Sequence, residues 1–522
     1  MAMRTLVMAC LALAGGSASL PAQAPKLGRL SFPNSGSKTA QPAFIRGVLL
    51  LHSFEYEDAA AAFRDAQRAD PSFALAYWGE AMTHNHPVWN EQDLNSARAI
   101  LGRLAPTAEA RALKARTARE RAWLETGEIL YGDGEKPRRD TLYSAALERL
   151  TMSYPDDREA RLFYALSLMG LSQAVRNIPA YMRAGAIAQD VFLANPEHPG
   201  AAHYIIHAFD DAQHAPLGLR AARAYSKIAP GADHAQHMTS HIFLGLGMWE
   251  ETVAANEVAS FGAETDRSKW GPGHYTHWLG YGLLQQGRFE EARRHLESVK
   301  PNLGTPPRIP RKAYLLAMRA HYLVGTERWA DPVTEWTLDT EGVGPGPQAM
   351  DAFALGLAAI GRADRPAAER RLADVERLAG SPAQADRYGS NAQVPAVLAK
   401  ELRGLLLLVD GKKDEALALL RAAAVTEDSL PLEYGPPDIV KPTHELLGEV
   451  LLGLGEGREA AREFERSLQL APRRALSLLG LARAATMAGD REAAARAHAE
   501  LRKIWHRADG DVPWVQEVAR QW

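Results

Sequence analysis

Residues 446–472 read LLGEVLLGLGEGREAAREFERSLQLAP, and this stretch decides the fold. Gly448, Gly455, Ala460, Phe464 and Pro472 fall where two antiparallel helices need, in order, a small contact residue, a tight turn, a second small residue, an aromatic filler and a stop. The apolar residues between them recur three and four apart, which is the period of a helix and not the alternation of a strand. The pattern continues in phase at Ala482, Gly489 and Ala494.

Working outward, GVLLLHSFEYEDAAAAFRDAQRADP (residues 47–71) puts Gly47, Tyr56, Ala59, Phe63, Ala66 and Pro71 in the same slots. Ala76, Tyr77 and Ala81 open the next copy, whose second helix is expected to give way to an excursion from Asn90 to Asp140. Further copies run through Ser240, Gly247, Trp249 and Val253, and through Gly280, Gly287, Phe289 and Ala292. Looser ones surround Gly404, Gly411 and Ala416, and Ala354 and Gly361. With a period of about 34 residues, these motifs resemble the tetratricopeptide-repeat family over roughly residues 40 to 508. The resemblance implies an all-α fold, a right-handed superhelix of antiparallel helix pairs (an α-solenoid), with a concave groove lined by the first helix of each pair. Pro-rich TPPRIP (305–310), VGPGPQ (343–348) and LPLEYGPP (430–437) interrupt the array, so two lobes are expected.

A chain of 522 residues is too long for one compact core, and 46% hydrophobic with 24% charged residues is an ordinary globular balance, so an array is favoured over a disordered or fibrous chain. A net charge of -3 supplies no positive field for nucleic acid or an anionic membrane, and neither is expected as a partner. The opening MAMRTLVMACLALAGGSASLPAQA has one Arg, a short apolar run and small residues before a cleavage point, the form of a secretory signal. The only cysteine, Cys10, lies inside that run, so the mature chain is expected to carry no thiol, no disulfide and no transmembrane segment. A periplasmic or secreted location follows. The expected organisation is signal peptide 1–24, linker 25–39, an N-terminal repeat lobe with a His-rich groove 40–300, an irregular connection 301–345 and a C-terminal repeat lobe 346–522.

Nine of the 17 histidines fall between His198 and His277, where an even spread would put about three. HYIIH holds His203 and His207; HAQHMTSH holds His234, His237 and His241; HYTH holds His274 and His277. Each set shares one helix face because its members are three or four apart. Fitted to the repeat, they occupy groove-facing slots of three successive first helices, given a one-residue gap before Pro216 for the first set. Imidazoles one turn apart can bind a single ion, so His203, His207, His237, His241 and His277 are the candidate ligands for one transition metal, Zn, Cu or Fe. Asp210, Asp211, Asp233 and Glu264 are candidates to supply an oxygen ligand or to hold a ring nitrogen.

Two other readings compete: polar groove residues contacting a peptide or protein partner, and histidines packed structurally against Tyr204, Phe243, Tyr275 and Trp278. His84, His86, Trp89, His234, His274 and Tyr281 are assigned to binding such a partner or ligand. For His84, His86 and Trp89 the plainer alternative is a helix end stopped by Pro87. Lys441, Glu445, Glu449 and Glu401 lie on late first helices, where a polar groove is one reading and a solvated charged face the commoner one. There is no HExxH and no GxSxG, so zinc-protease and serine-hydrolase arrangements gain no support. The functional expectation is an exported binding or scaffold protein whose groove takes a partner and holds a metal. The alternative is a His-ligated metalloenzyme, hydrolase or oxidoreductase.

Overall fold

The computed structural model describes residues 26–172, 176–262, 273–381, 392–432 and 434–520. The stretch expected to be a signal, residues 1–24, and the candidate oxygen ligand Glu264 lie outside the described residues. Twenty-five α-helices run through them, with one two-stranded ribbon, Asn85–His86 against Glu91–Gln92. Local chemistry sets the helix starts. Thr117 and Glu120 close a reciprocal capping box on Ala118–Leu130, and Asp157, Asn177 and His198 each accept a backbone N–H at the head of their helices.

The repeat unit rests on close helix contact around one ring. Phe63 is fully buried between the helices bearing Gly47 and Gly79, and a Cβ at Gly79 would stand 2.4 Å from its ring. Phe464 sits in the same way between Gly448 and Gly480, at the same sequence spacing, with 2.2 Å to a Cβ at Gly480. Any larger residue would push the helices apart and forfeit the ring's packing.

Three stretches depart from the expected organisation. The expected linker is not free where it is described: residues 26–37 run without helix or strand across the array and 38–40 turn into the first helix, burying Leu27 and Phe32, with the Phe32 ring 5.4 Å from Phe44 and 4.9 Å from Trp123. Backbone hydrogen bonds fix this strap, Arg29 N–H to the Glu197 carbonyl at 2.9 Å and Gly231 N–H to the Lys26 carbonyl at 3.1 Å. The excursion after Asn90 is helical, as Leu94–Leu104, Ala108–Ala112 and Ala118–Leu130. The connection 301–345 contains the 18-residue helix Ile309–Thr326, whose face toward His274–Gln285 is apolar enough to continue the stack despite the flanking prolines.

The array closes on itself. Leu244, Trp249, Trp278 and Tyr281 share one apolar cluster with Ala475, Leu478 and Trp505 from the far end of the chain. Trp249 Nε1 donates to the Arg473 carbonyl at 2.9 Å, and Trp505 Nε1 to the Gln285 carbonyl at 3.0 Å. Gly247 makes the turn between Asp233–Gly245 and Trp249–Gly262 at φ +63°, and a Cβ there would lie 2.2 Å from the Pro472 carbonyl. Only glycine satisfies both the left-handed backbone and that contact. Among the described residues no helix is long and apolar enough to cross a membrane.

Candidate metal centre

The histidines lie on three successive first helices, Pro199–Phe209, Asp233–Gly245 and His274–Gln285. Helical spacing places His203 above His207 and His237 above His241, and stacking of the pairs brings the three rows together. His203, His207, His234, His237 and His241 are all buried, at 0 to 3% exposure. A buried imidazole is unusual enough that the partner of each nitrogen has to be accounted for.

His237, His241 and His274 bring ring nitrogens within 4.8 Å of one another. His237 Nδ1 lies 2.7 Å from Asn256 Oδ1, and the amide's orientation is fixed because its Nδ2 donates to the Thr252 carbonyl at 2.8 Å. His237 Nδ1 is therefore the donor. His241 Nδ1 likewise donates to Asp210 Oδ2 at 3.0 Å. In the neutral rings both Nε2 atoms are then bare lone pairs, yet they face each other at 3.1 Å, with His274 Nε2 2.9 Å from that of His237. Two lone pairs at that separation repel unless a proton or a cation lies between them. Three nitrogens at about 2.0–2.1 Å from one ion stand about 3.3 Å apart in tetrahedral geometry, close to the 3.1 and 2.9 Å that His237 Nε2 makes with its two neighbours.

Burial opposes the proton. It is the largest influence on His237, which is held well below the ordinary imidazole value, with the charges His274 and His241 would carry adding to the effect. His274 falls to about 3, and His241 is lowered by burial despite the opposing pull of Asp210. Asp210 is fully buried, which would raise its pKa, but Arg176 at 2.8 Å and the His207 and His241 rings hold it far below the carboxylate range. The arrangement offers neutral nitrogen donors with an ionised carboxylate behind them, which suits Zn, Cu or Fe.

His203, His207 and His234 form a second set within 4.8 Å of one another. Phe54 packs across it, its ring 4.3 Å from His203, 5.6 Å from His207 and 5.8 Å from His234. Trp89 stands edge-on to His207 and His234, and Tyr434 stacks on His241 at 5.3 Å, so aromatic rings roof both sets. A third group, His52, Glu159 and His198, is equally tight but chemically complete. Both Nε2 atoms donate to Glu159, at 2.7 and 2.9 Å, His52 Nδ1 accepts from Tyr204 Oη at 2.8 Å, and His198 Nδ1 accepts from Ala201 N–H. No nitrogen is left over for an ion.

Residues 446–505 match the tetratricopeptide-repeat family model. The chain carries tetratricopeptide repeats. Among solved structures, a human IFIT1 dimer with m7Gppp-AAAA is 14% identical over 91% of this chain and 90% of that one, at a TM-score of 0.35. The APC/C hetero-tetramer Cut9-Hcn1 is 13% identical over 87% of this chain and 78% of that one, at a TM-score of 0.33. None of the curated proteins matches the chain.

Within the tetratricopeptide frame, the single shared site expected from sequence is corrected in two respects. Four of the five candidate ligands divide between two triads, His203 and His207 in one and His237 and His241 in the other. His277 belongs to neither: its Nε2 lies 3.2 Å from His321 Nδ1, on the neighbouring first helix, and His274, at the start of its own helix, takes the place beside His237. His234, assigned to partner binding, joins His203 and His207. Trp89 reaches the cluster, whereas His86 stacks on Tyr56 at 4.0 Å and His84 lies 4.0 Å from Asp93, both off to the side. Tyr281 accepts from Arg474 at 3.0 Å and belongs to neither triad.

Lys441, Glu445 and Glu401 are buried and not a solvated face: Arg474 makes a bidentate pair with Glu445 at 2.7 and 2.9 Å, and Lys441 pairs with Glu445 and Glu449. Sequence reasoning passed over His52, Glu159, Asn256 and His321. Asn256 lies one repeat slot from Val253 on a second helix and carried no signal by itself. His321 is a lone histidine in a stretch read as irregular.

Proposed function

We propose that this is an exported metalloprotein in which a tetratricopeptide scaffold encloses a transition-metal centre of catalytic type, with His237, His241 and His274 as ligands. The observation that carries this is the 3.1 Å approach of His237 Nε2 to His241 Nε2 while both Nδ1 atoms are committed as donors. Three nitrogen ligands, with no fourth grouped with them among the described residues, is the pattern of a site that keeps a position for water or substrate, whereas structural sites complete four. A bound ion there would act as a Lewis acid on a small ligand in that position. The protein's own residues hold the rings in one tautomer, through Asn256 and Asp210, and exclude bulk water with Trp278 and Tyr434.

The roof of Phe54, Trp89 and Tyr434 favours a small molecule over a peptide at the histidines. A peptide or protein partner is better placed elsewhere along the repeat surface. Export rests on the signal-like opening of the sequence. Elemental analysis of the untagged protein tests the reading. Stoichiometric Zn, Cu or Fe is expected in the native chain, and less in His237→Ala at unchanged helicity. Native protein that takes up none of these metals refutes it.

A further inference from the structure

Two features of the triad His203, His207 and His234 go beyond a single-ion centre. His203 Nδ1 donates to the His52 carbonyl at 2.7 Å, which leaves Nε2 bare. His203 Nε2 and His207 Nε2 are both buried, and among the described residues neither has a hydrogen-bond partner. A buried polar atom without a partner costs about 1–3 kcal/mol, and two of them side by side in one cluster point to something that binds there. His207 turns its other nitrogen toward Asp210, 3.6 Å away. The contrast with His52, Glu159 and His198 is informative: that group is as tight, but every nitrogen in it is satisfied within the protein.

The two triads are also joined. Asp210 Oδ2 accepts from His241 at 3.0 Å and faces His207 at 3.6 Å, so one carboxylate orients a ring in each set. The His207 and His241 rings are 5.8 Å apart, and those of His234 and His237 6.2 Å apart. Phe54 covers His203, His207 and His234 on one side and lines a cavity with Tyr56, Met82, Tyr143 and Phe163 on the other.

We infer that the site holds two ions and not one, the second bound by His203, His207 and His234, with Asp210 as the residue common to both halves. The inference rests on the metal-centre reading of His237, His241 and His274. With six imidazoles as donors and one carboxylate, Asp210, beside His207 and His241, the donor set fits Zn or Cu better than the hard cations Mg and Ca.

Zinc titration of metal-stripped full-length protein against a chromophoric chelator separates the outcomes. Two tight equivalents are expected. The double variant His203→Ala/His207→Ala should retain one equivalent, and so should His237→Ala/His274→Ala, with circular dichroism showing each still helical. One equivalent in the native chain, lost in either variant, overturns the second ion and leaves a metal centre standing; none overturns both readings. X-ray absorption on the fully loaded native protein needs no variant. It should show imidazole scattering around an average ion with about three nitrogens at about 2.0–2.1 Å, and a zinc shell dominated by carboxylate oxygen would refute the assignment.

Discussion

Asn256 Oδ1 stands 2.7 Å from His237 Nδ1, and this one amide, on the second helix of its repeat, decides which nitrogen of His237 faces its neighbours. Replacing it by leucine frees the ring to rotate or change tautomer without touching any proposed ligand. Asn256→Leu should weaken one zinc equivalent about 10- to 100-fold while leaving the other, and Asn256→Asp, which keeps an acceptor, should lie near the native chain. Chelator competition reads both equivalents in one titration. Equal loss of both would contradict the assignment of Asn256 to one triad.

Asp210 should behave differently because it serves both triads and a buried cation. Asp210→Asn removes the charge paired with Arg176 at 2.8 Å, and breaking a buried pair costs about 3–5 kcal/mol. The expected outcome is a lower Tm in the metal-free protein together with weakened binding of both equivalents. A variant with native Tm would mean that Arg176 and Asp210 are more hydrated than their burial indicates.

Glu401 gives a pH dependence far from the histidines. It is fully buried, accepts from Thr443, and has an Oε2 with no partner among the described residues. Burial, with Glu427 nearby, raises it well above its ordinary value of 4.5. A carboxyl whose folded pKa is raised binds more protons folded than unfolded, so its stabilisation is full below about 4.5 and is lost as pH rises toward the folded value. Glu401→Gln mimics the protonated form at every pH. The Tm difference, variant minus native, should therefore grow more positive from pH 5 to pH 8, by up to about 1.4 kcal/mol per unit in free energy. A difference flat across that range would show that Glu401 is ionised in the folded protein.

Phe464 tests the repeat packing. It is fully buried between Gly448 and Gly480, so Phe464→Ala leaves a cavity and should cost about 3–5 kcal/mol in chemical unfolding. Gly480→Ala should also destabilise, because its new methyl group meets the same ring. Restored stability in the double variant, where the smaller side chain accommodates the methyl, would confirm that the two effects have one cause.

The helix pairs were legible in the sequence because each is set by residues close to one another, such as Gly448, Gly455 and Phe464. The histidine rows were legible for the same reason, since spacing of three or four fixes a shared face. What was not legible depends on how helices rotate and stack. Whether His274 or His277 meets His237 turns on where that helix begins, and the division into two triads turns on how the helix of His203 sits against that of His237. The tautomers were further out of reach, because His203 is oriented by a carbonyl at position 52 and His237 by an amide on a second helix. The strap at 26–39 was read as a linker because its contacts, to Glu120, Glu197 and Gly231, are all distant in sequence.

The closure of residues 473–509 onto the helices around Trp249 and Gln285 bears on how this gene can change. An open array tolerates duplication or deletion of a whole unit, because the new end is as good as the old. Here the two surfaces that meet are separated by a fixed number of units, and adding or removing one would carry Pro472 away from Gly247 and Ala508 away from Gly287. The copy number is thereby locked. Relatives that share the six histidines should vary in loops and surfaces, and not in how many repeats lie between Trp249 and Arg473.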